Sequence, residues 1–380
     1  MDIKNRNLFR ITRLILFKLP YILRLLGHFR KIEKRLLIIK LDAIGDYILF
    51  RNFLEIIKNS EKFRNYEIDM LGNELWKDLA LTYDQSFITN FYFTKPFSLY
   101  ERPLQYLKLG WKLFVKNYEV VLQPTYSRTL INDGLAAITV GKEIIGFESD
   151  NELILQKYKK KTDKFYTQKL QLSTDIIFEF ERNRYFFEQV IRTPINLYKP
   201  SFPFGPIKKN NNIIFFTGAG YIKREWGIDK FLSLAEHILE HTNYTIILAG
   251  SKSEQTHAEY LFNKLPQNRV FSRIGKTTLP ELVDLIAKSQ LVISNETSAV
   301  HIAAACNTPT ICIHGVAHYK RFVPYPAHIS NKLIFIYEKM PCFNCNWNCI
   351  YETEKDEPFP CVSINSVQQV WVAFNRLMAE

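Results

Sequence analysis

The chain has 380 residues, of which 47% are hydrophobic and 23% charged, a composition typical of a folded globular protein and not of a disordered one. This length is sufficient for two domains of ordinary size. The formal net charge of +12 favours an anionic partner, such as nucleic acid, anionic lipid or a phosphorylated sugar.

Residues 1–33 form a basic amphipathic segment. If the segment is helical, one side of the helix carries the apolar residues Leu8, Ile11, Ile15, Leu19, Ile22 and Leu26. The opposite side carries Arg6, Arg10, Arg13 and Arg24. Pro20 is expected to kink or divide this helix. We favour a position in the headgroup region of a bilayer; the alternative is a surface helix packed on the domain core. Lys18 and Arg24 interrupt the apolar run, so we expect neither a membrane span nor a signal peptide.

From Lys34 onward, strand-like and helix-like segments alternate, the pattern of a mostly parallel sheet. In the first half, the predicted strands are 35–40, 66–71, 118–123 and 143–146, and the predicted helices are 46–59, 103–117, 126–139 and 167–191. In the second half, the predicted strands are 213–217, 244–249, 290–294 and 309–313, and the predicted helices are 229–241, 253–264, 279–288 and 298–306.

Segment 193–212 is rich in Pro, Lys and Asn and lacks periodicity, so it is the predicted linker. We therefore expect an α/β protein with two doubly wound, Rossmann-like domains, over 34–195 and 210–365, that face a central cleft. A final helix is predicted within 366–380, and packing of this helix back on the first domain is left open as one arrangement.

The most informative stretch is EKRLLIIKLDAIGDYILF, residues 33–50. An apolar strand enters a short loop, and a helical pattern starts at Asp46, directly after Gly45. In open α/β sheets, ligands bind outside the carboxyl ends of the strands, where such turns lie. Asp46 is therefore a candidate catalytic base, with Asp42 as the competing carboxylate and a plain helix N-cap as the local interpretation of Asp46.

A second informative stretch is SNETSAVHIAAA, residues 294–305. The predicted strand ends, and Glu296, Thr297 and Ser298 lead into a helix of small residues that contains His301. Backbone N–H groups at such a helix start attract phosphate. A histidine on a helix has a local interpretation as well, as a satisfied core residue.

Together, the two stretches resemble glycosyltransferase family 9, the ADP-heptose–lipopolysaccharide heptosyltransferases and their relatives. Members usually show Asp, Ser or Thr, Gly, and a His three residues after that Gly; here Thr297 and His301 match, while Glu296 and Ser298 depart. The resemblance implies a GT-B fold and an inverting transfer that needs no metal or other cofactor. It also implies that Asp46 is the base and that Glu296 positions the ribose.

Other loops at predicted strand ends supply candidate donor-binding residues. Thr217 lies in a Gly-rich turn, and Lys223 or Arg224 follows it, where a cation would stabilise a leaving diphosphate. Glu254 ranks below Glu296 as a ribose contact. The segment GVAHYKRFVPYP resembles one subgroup of the family and adds His318 and Arg321, near the donor phosphates or the sugar. For each of these residues, a local or solvated role is the competing interpretation.

Four of the six cysteines, Cys342, Cys345, Cys349 and Cys361, form a C-x2-C-x3-C-x11-C pattern. Four thiolates suit a tetrahedral zinc, and a structural zinc is one interpretation. Two disulfides, a labile iron–sulfur site and free thiols are the others. Because few cysteines are present and disulfides are disfavoured in a reducing compartment, we expect a cytoplasmic protein whose charge faces the membrane.

By resemblance, the first domain binds an anionic glycolipid or other glycan acceptor at the inner face of the cytoplasmic membrane. The second binds a nucleotide sugar, ADP-heptose or similar. The alternative function is a non-catalytic nucleotide-sugar or glycolipid binding protein on the same fold, which the departures at Glu296 and Ser298 leave open. Nucleic-acid binding rests on charge alone and is not expected. Without a P-loop, a dinucleotide fingerprint or a D-x-D pair, kinases, dehydrogenases and manganese-dependent transferases are disfavoured.

Overall fold

A computed structural model describes residues 3–27 and 30–379, which form two units with a parallel sheet each. The first unit extends to Ile176 and includes Phe180–Leu197; the second comprises Ile177–Glu179 and Tyr198–Glu380. The division after Leu197 lies inside the predicted linker. The expected α/β class and doubly wound Rossmann-like sheets are confirmed.

The sheet of the first unit has the strand order β3-β2-β1-β4-β5-β6. Its strands are β1 Glu33–Lys40, β2 Glu67–Asn73, β3 Asn90–Thr94, β4 Tyr118–Gln123, β5 Glu143–Phe147 and β6 Gln168–Leu170. Leu36 of β1 pairs with Ile68 on one side and with Val120 on the other. Strand order reverses between β1 and β4, so the crevice for a ligand lies beyond the carboxyl ends of these two strands.

Nine helices in the described part of the first unit surround this sheet. They are α1 Arg6–Gly27, α2 Ile44–Ile48, α3 Phe53–Asn59, α4 Lys77–Tyr83, α5 Pro96–Leu99, α6 Pro103–Phe114, α7 Leu130–Ile138, α8 Gln156–Thr162 and α9 Glu179–Ile191, which begins on the last residue of the second unit's short segment. Because β1 is covered on both faces, its residues from Leu36 to Lys40 are all buried.

Helix α1 packs on the first unit through Thr12, Leu16, Pro20 and Leu23, which are all buried. Ile15 and Leu19 of the predicted apolar side lie against this core, whereas Ile11, Ile22 and Leu26 are exposed, so the prediction of that side is confirmed only in part. The expected position at a bilayer stays a prediction. Pro20 does not divide the helix. Among residues 3–27 and 30–379, no helix has both the length and the hydropathy needed to cross a membrane.

The second unit repeats this topology with the order β12-β11-β10-β7-β8-β9. Its strands are β7 Asn212–Phe216, β8 Thr245–Leu248, β9 Val270–Ser272, β10 Leu291–Asn295, β11 Thr310–Ile313 and β12 Leu333–Ile336. Its helices are α10 Ile228–His241, α11 Gln255–Lys264, α12 Leu279–Lys288, α13 Ser298–Ala305, α14 Pro360–Ser363 and α15 Val367–Ala379. Strand order reverses between β7 and β10, which sets the crevice of this unit there.

The predicted elements are corrected in three places. Helix α15 belongs to the second unit and buries Val370 and Phe374 in its core, so the suggested return to the first domain is not observed. The predicted helix 167–191 contains a strand, β6, and becomes helical only at Glu179. The predicted helix 46–59 is interrupted between α2 and α3, where tighter turns such as Phe53 N–H to Phe50 O replace the α-helical bonds.

Candidate functional site

Asp46 lies in the first turn of α2, directly beyond the carboxyl end of β1, and is half-buried. The helix begins at Ile44, and its N-cap residue is Ala43, whose side chain has no hydrogen-bonding group. The N-cap interpretation of Asp46 is therefore wrong. A carboxylate in the first helical turn is still favoured by the partial positive charge of the helix start.

The loop before Asp46 is held by side chains from the end of β2 and from the turn that follows it. Asn73 donates from Nδ2 to the carbonyl oxygens of Leu41 (3.0 Å) and Asp42 (3.2 Å), and Trp76 donates from Nε1 to Asp42 O at 3.1 Å. A Cβ atom at Gly72 would lie 2.2 Å from Trp76 Cη2, so only glycine leaves room for this indole. The sequence did not indicate that Asn73 and Trp76 would hydrogen-bond to this loop.

A buried network fixes the residue that follows Asp46. The Tyr47 ring stacks on Trp76 with centroids 4.0 Å apart, and its hydroxyl donates to Asp84 Oδ2 at 2.5 Å. Arg51 holds both oxygens of the same carboxylate, with Nη2 2.7 Å from Oδ1 and Nε 3.1 Å from Oδ2. Burial raises the pKa of Asp84, an effect that Arg51 opposes. The backbone that presents Asp46 is therefore rigidly supported.

Asp42, the competing carboxylate, is bound by its neighbours. Its Oδ2 lies 2.9 Å from the Nζ of the fully buried Lys40 and accepts a hydrogen bond from Thr125 Oγ1 at 2.6 Å. Asp42 is thus engaged by side chains of the first unit, and the choice between Asp42 and Asp46 as a base stays a prediction.

In the second unit, Asn295 joins the loops after β7 and β10. This fully buried residue donates from Nδ2 to the carbonyl oxygens of Thr217 (2.8 Å) and Gly218 (3.2 Å) and accepts from Trp226 N–H at 2.9 Å. One side chain thus sets the spacing of the two strand ends that flank the topological switch point. Sequence reasoning did not identify it, because an asparagine at a strand end is also a common turn residue.

Three polar groups converge beyond β10 and β11. Arg224 Nη2 lies 3.2 Å from Glu296 O and 3.4 Å from Glu296 Oε1, and His314 Nδ1 lies 4.0 Å from Glu296 Oε2. Arg224 Nε, Glu296 Oε2 and His314 Nε2 are buried and have no hydrogen-bond partner among the described residues. Sequence reasoning missed His314, because nothing in the sequence distinguishes it from the other residues at a strand end.

Burial sets the protonation of this cluster. It raises the pKa of Glu296 to about 7, against the opposing charge of Arg224, and lowers the pKa of His314 to about 4. Because the Nδ1 of His314 lies 2.8 Å from a carbonyl oxygen, that of Gly315, Nδ1 donates and Nε2 is the acceptor in the neutral ring. The cluster thus offers an acceptor on His314, a donor on Arg224 and a carboxyl group that titrates near neutrality.

The structure separates the two candidate cations. Lys223 donates from Nζ to Thr353 O (3.1 Å) and Thr353 Oγ1 (2.7 Å), towards the cysteine-rich segment. Arg224 reaches Glu296 and lies over the Trp347 ring, 4.3 Å from its centroid. Of the two, Arg224 is the one beside the start of α13.

Helix α13 starts at Ser298, as predicted. Thr297 is its N-cap and accepts at Oγ1 from Ala299 N–H (3.3 Å), while Ser298 is half-buried at the first helical position. His301 is buried, lies 2.9 Å through Nδ1 from Tyr325 Oη, and has its pKa lowered to about 4 by burial. His301 thus has a buried hydrogen-bond partner within the second unit, and its expected contact with a ligand stays a prediction.

Glu254 is brought close to the Gly-rich turn after β7. It accepts at Oε1 from Ser251 N–H (3.0 Å) in a capping box, and Cβ atoms at Gly218 and Gly250 would collide with it. Nearby, Thr217 Oγ1 lies 3.3 Å from His257 Nδ1, and His257 Nε2 lies 3.6 Å from Glu225 Oε2. Burial raises the pKa of Glu225, a residue that sequence reasoning did not select.

His318 and Arg321 both contact Phe322, whose ring lies 6.4 Å from that of His301 on α13, and both have polar partners elsewhere in the chain. Arg321 Nε lies 3.4 Å from Glu179 Oε2, and the Arg321 carbonyl accepts from Glu179 N–H at 2.8 Å. His318 donates from Nε2 to Asn346 Oδ1 and packs edge-on against Phe322. Their expected position near the donor phosphates or the sugar stays a prediction.

The four clustered cysteines lie near one another, and none of them forms a disulfide in the described part of the chain. Cys342, Cys345 and Cys349 each influence the pKa of Cys361, which burial raises to about 11. Trp347 N–H makes a hydrogen bond to Cys345 that lowers the pKa of its thiol, against the larger effect of burial. Within residues 3–27 and 30–379, no three of these sulfurs approach within 4.8 Å of one another.

Two doubly wound units in one chain define a protein of the GT-B class. Residues 107–350 match the model of glycosyltransferase family 9 (heptosyltransferase), and the chain belongs to this family. The matched range starts after Asp46, so the expected role of Asp46 stays a prediction that rests on the resemblance of its motif.

Individual relatives agree with this assignment. The chain is 33% identical over 125 residues to lipooligosaccharide heptosyltransferase 2 of Haemophilus influenzae, a match that covers 32% of this chain and 31% of the relative. It therefore spans less than a third of that curated relative. Its fold matches E. coli ADP-heptose lps heptosyltransferase II (16% identity, 91% and 98% of the two chains, TM-score 0.66). It also matches the E. coli iron-containing dodecameric glycosyltransferase TibC (14%, 92% and 77%, TM-score 0.51).

Proposed function

We propose that this protein is a glycosyltransferase that moves a heptose or similar sugar from a nucleotide sugar to a lipopolysaccharide-type or other glycan acceptor. Family membership supports the class of reaction. The observation that carries the proposal is the cluster of Arg224, Glu296 and His314, whose buried polar atoms have no described protein partner. Leaving such atoms unpaired costs about 1–3 kcal/mol each, and a polar ligand that pairs with them removes this penalty.

The donor is held in the second unit. Arg224 and the N–H groups at the start of α13 bind the diphosphate, because both present positive charge at the same place. ADP-heptose is the donor named for the E. coli structural relative and the first candidate here. Glu296 and His314 offer hydrogen-bonding groups to hydroxyls of the ribose or of the sugar.

The reaction is a single displacement. Asp46 takes the proton of an acceptor hydroxyl, whose oxygen attacks the anomeric carbon while the bond from that carbon to the diphosphate oxygen breaks. Attack opposite to the leaving group inverts the anomeric configuration. Arg224 and the α13 helix start stabilise the charge that develops on the diphosphate, a task that a metal ion performs in other enzymes.

Nucleotide release from candidate nucleotide sugars, with a lipid-linked acceptor present, tests this proposal. Asp46→Asn is expected to lower kcat by about 10²–10⁴-fold, because general base catalysis is lost. Asp42→Asn is the matched control and is expected to retain more activity. Equal turnover by wild type and Asp46→Asn would refute the role of Asp46. Nucleotide binding without any turnover would instead favour the alternative, a non-catalytic nucleotide-sugar or glycolipid binding protein.

We further propose that the first unit works at an anionic membrane surface on the cytoplasmic side, with helices α1, α6 and α8 towards the lipid. These helices are neighbours: α1 packs on α6 and α7, and the Phe17 ring lies 5.9 Å from that of Tyr158 on α8. They expose apolar side chains at Ile11, Leu14, Ile22, Leu25, Leu104 and Trp111. They also expose basic ones at Arg10, Lys18, Lys108, Lys112, Lys157 and Lys160.

Both kinds of side chain support binding to anionic lipid. Apolar groups enter the boundary between headgroups and acyl chains, and each Lys or Arg near the surface contributes about 1 kcal/mol. The glycolipid acceptor that we propose would be reached from such a surface.

Sedimentation with vesicles separates the contributions. Wild type is expected to bind phosphatidylglycerol vesicles and to bind phosphatidylcholine vesicles weakly. Leu14→Glu with Leu25→Glu is expected to abolish binding, whereas Val372→Glu, an exposed apolar position on α15, is expected to leave it intact. Unchanged binding of the double variant would contradict this surface assignment.

We also propose that Cys342, Cys345, Cys349 and Cys361 hold one structural metal ion. Soft thiolates suit zinc, and iron is the alternative, since the structural relative TibC is described as iron-containing. Asn344, Asn346 and Trp347 adopt φ values of 61°, 51° and 60°, an unusual run that lets the Trp347 amide face the Cys345 sulfur. Binding of the metal ion would bring the four sulfurs together and would stabilise the segment that carries Trp347.

Elemental analysis of the purified protein tests this site. One equivalent of zinc or iron is expected, and Cys345→Ser is expected to lose it and to unfold at a lower temperature. Cys306→Ser, a cysteine outside the cluster, is the matched control. Absence of both metals from wild type, or unchanged metal content in Cys345→Ser, would refute the site.

A further inference from the structure

We propose that helix α10 carries a separate site for a divalent transition-metal ion, formed by His237, Glu240 and His241. The ligand atoms of these three side chains all lie within 4.8 Å of one another. Their spacing of three and four residues places them on one face of the helix. All three are exposed, so an ion reaches them directly from solvent.

One of the two imidazoles is already oriented for a metal. His241 Nδ1 lies 2.9 Å from the backbone oxygen of His237. A carbonyl oxygen only accepts hydrogen bonds, so Nδ1 carries the hydrogen, and in the neutral ring Nε2 keeps its lone pair for a ligand. A hydrogen bond from the other ring nitrogen to a carbonyl is the usual second contact of metal-binding histidines.

Trp371 of α15 restrains both rings. Its ring centroid lies 5.8 Å from that of His237 at an interplanar angle of 29°, and 5.6 Å from that of His241. Trp371 in turn stacks on the buried Phe374 at 5.0 Å. Side chains that are already restricted lose less entropy when they bind an ion.

The donor set identifies the class of ion. Two imidazole nitrogens and one carboxylate oxygen suit zinc, cobalt, nickel or copper, whereas magnesium and calcium prefer oxygen ligands. Three protein ligands leave a fourth tetrahedral position for water. Because Trp371 packs on the ligands, the bound ion would also hold α10 against α15. This site is independent of the proposed transferase activity.

Titration with Co²⁺, in the full-length protein with its cysteine site loaded, gives a direct readout. One additional equivalent is expected, with a visible spectrum that lacks the intense sulfur-to-metal bands of thiolate ligation and with a change in Trp371 fluorescence. Zn²⁺ is expected to displace Co²⁺ and to raise the Tm, because it binds the folded state.

Variants complete the test. His237→Ala and His241→Ala are each expected to lose the additional equivalent, and Glu240→Gln to bind more weakly. Glu236→Gln, an exposed carboxylate one position away, is the matched control and is expected to bind like wild type. Trp371→Phe is expected to lose the fluorescence change but keep the bound ion. If wild type takes up no additional equivalent, or if His237→Ala retains it, the site does not exist.

Discussion

At the scale of single residues, the buried carboxyl group of Glu296 makes the second unit sensitive to pH. Its pKa is about 7 in the folded protein, against an ordinary value of 4.5. Between these two values the folded protein holds a proton that the unfolded chain releases, so this group makes stability fall as the pH rises through that interval. His301 and His314 titrate near pH 4 and act in the opposite direction, so the contribution of Glu296 needs a matched variant.

Glu296→Gln is expected to be more stable than wild type at pH 8, relative to the same comparison at pH 4. The two free-energy differences should diverge by up to about 3 kcal/mol, since one pKa unit corresponds to about 1.4 kcal/mol. Urea unfolding at both pH values measures this. Parallel pH profiles of the two proteins would show that the carboxyl group is not buried as described.

Arg224 and Lys223 are adjacent in the chain but differ in their contacts, so a pair of variants separates them. Arg224→Ala is expected to lower kcat/KM for the nucleotide sugar about 10²-fold, by loss of charge stabilisation at the diphosphate. Lys223→Ala, which removes contacts to Thr353 and to the Phe359 ring, is expected to change it little. Steady-state kinetics decides, and the reverse order would move the diphosphate site towards Thr353.

At the scale of elements, the turn from β1 into α2 depends on β2. Gly72→Ala would place a Cβ atom 2.2 Å from the Trp76 indole, which in turn clamps the Asp42 carbonyl. Such overpacking is expected to cost about 1–3 kcal/mol of unfolding free energy and to reduce turnover by shifting Asp46. Gly205→Ala has no atom within 4 Å of its new Cβ and is the control in chemical denaturation.

Helices and strands could be predicted from the sequence where one or both of their faces are continuously buried. β1, β4 and α12 lie within one or two residues of their predicted bounds, because apolar periodicity and a capping box mark them. The edge strands β3, β6, β9 and β12 were missed, since they are short and often only half-buried. An edge strand has less apolar pattern than a central one.

The candidate site was predictable only in part, for a similar reason. The positions of Asp46 and Thr297 beside helix starts follow from local sequence: α13 starts at Ser298 as predicted, and α2 starts at Ile44, two residues before the predicted start. His314 and Asn295 depend on which strand ends are adjacent, and this is a property of the sheet order. The partners of His318 and Arg321 are distant in sequence, so no local pattern could indicate them.

At the scale of the whole molecule, two aromatic residues that are almost adjacent belong to different units. The ring of Phe178 lies 4.8 Å from that of Tyr325 in the second unit, and the ring of Phe180 lies 5.2 Å from that of Phe53 in the first. Both phenylalanines are buried.

Phe178→Ala and Phe180→Ala are expected to cost about 3–5 kcal/mol each, and each variant serves as the control of the other. In hydrogen exchange, Phe178→Ala should reduce protection around Tyr325, whereas Phe180→Ala should reduce it around Phe53. Equal loss in both regions for both variants would show that the two units unfold as one.

Residues 177–179 belong to the second unit although the chain on both sides of them belongs to the first, and this affects recombination between family members. The chain passes from one unit to the other three times, so a single junction in the 193–212 segment does not divide it cleanly. A hybrid joined there would inherit Phe178 and Glu179 from one parent and their partners Tyr325 and Arg321 from the other. Chimeric enzymes of this kind need the 177–179 tripeptide from the parent that supplies the second unit.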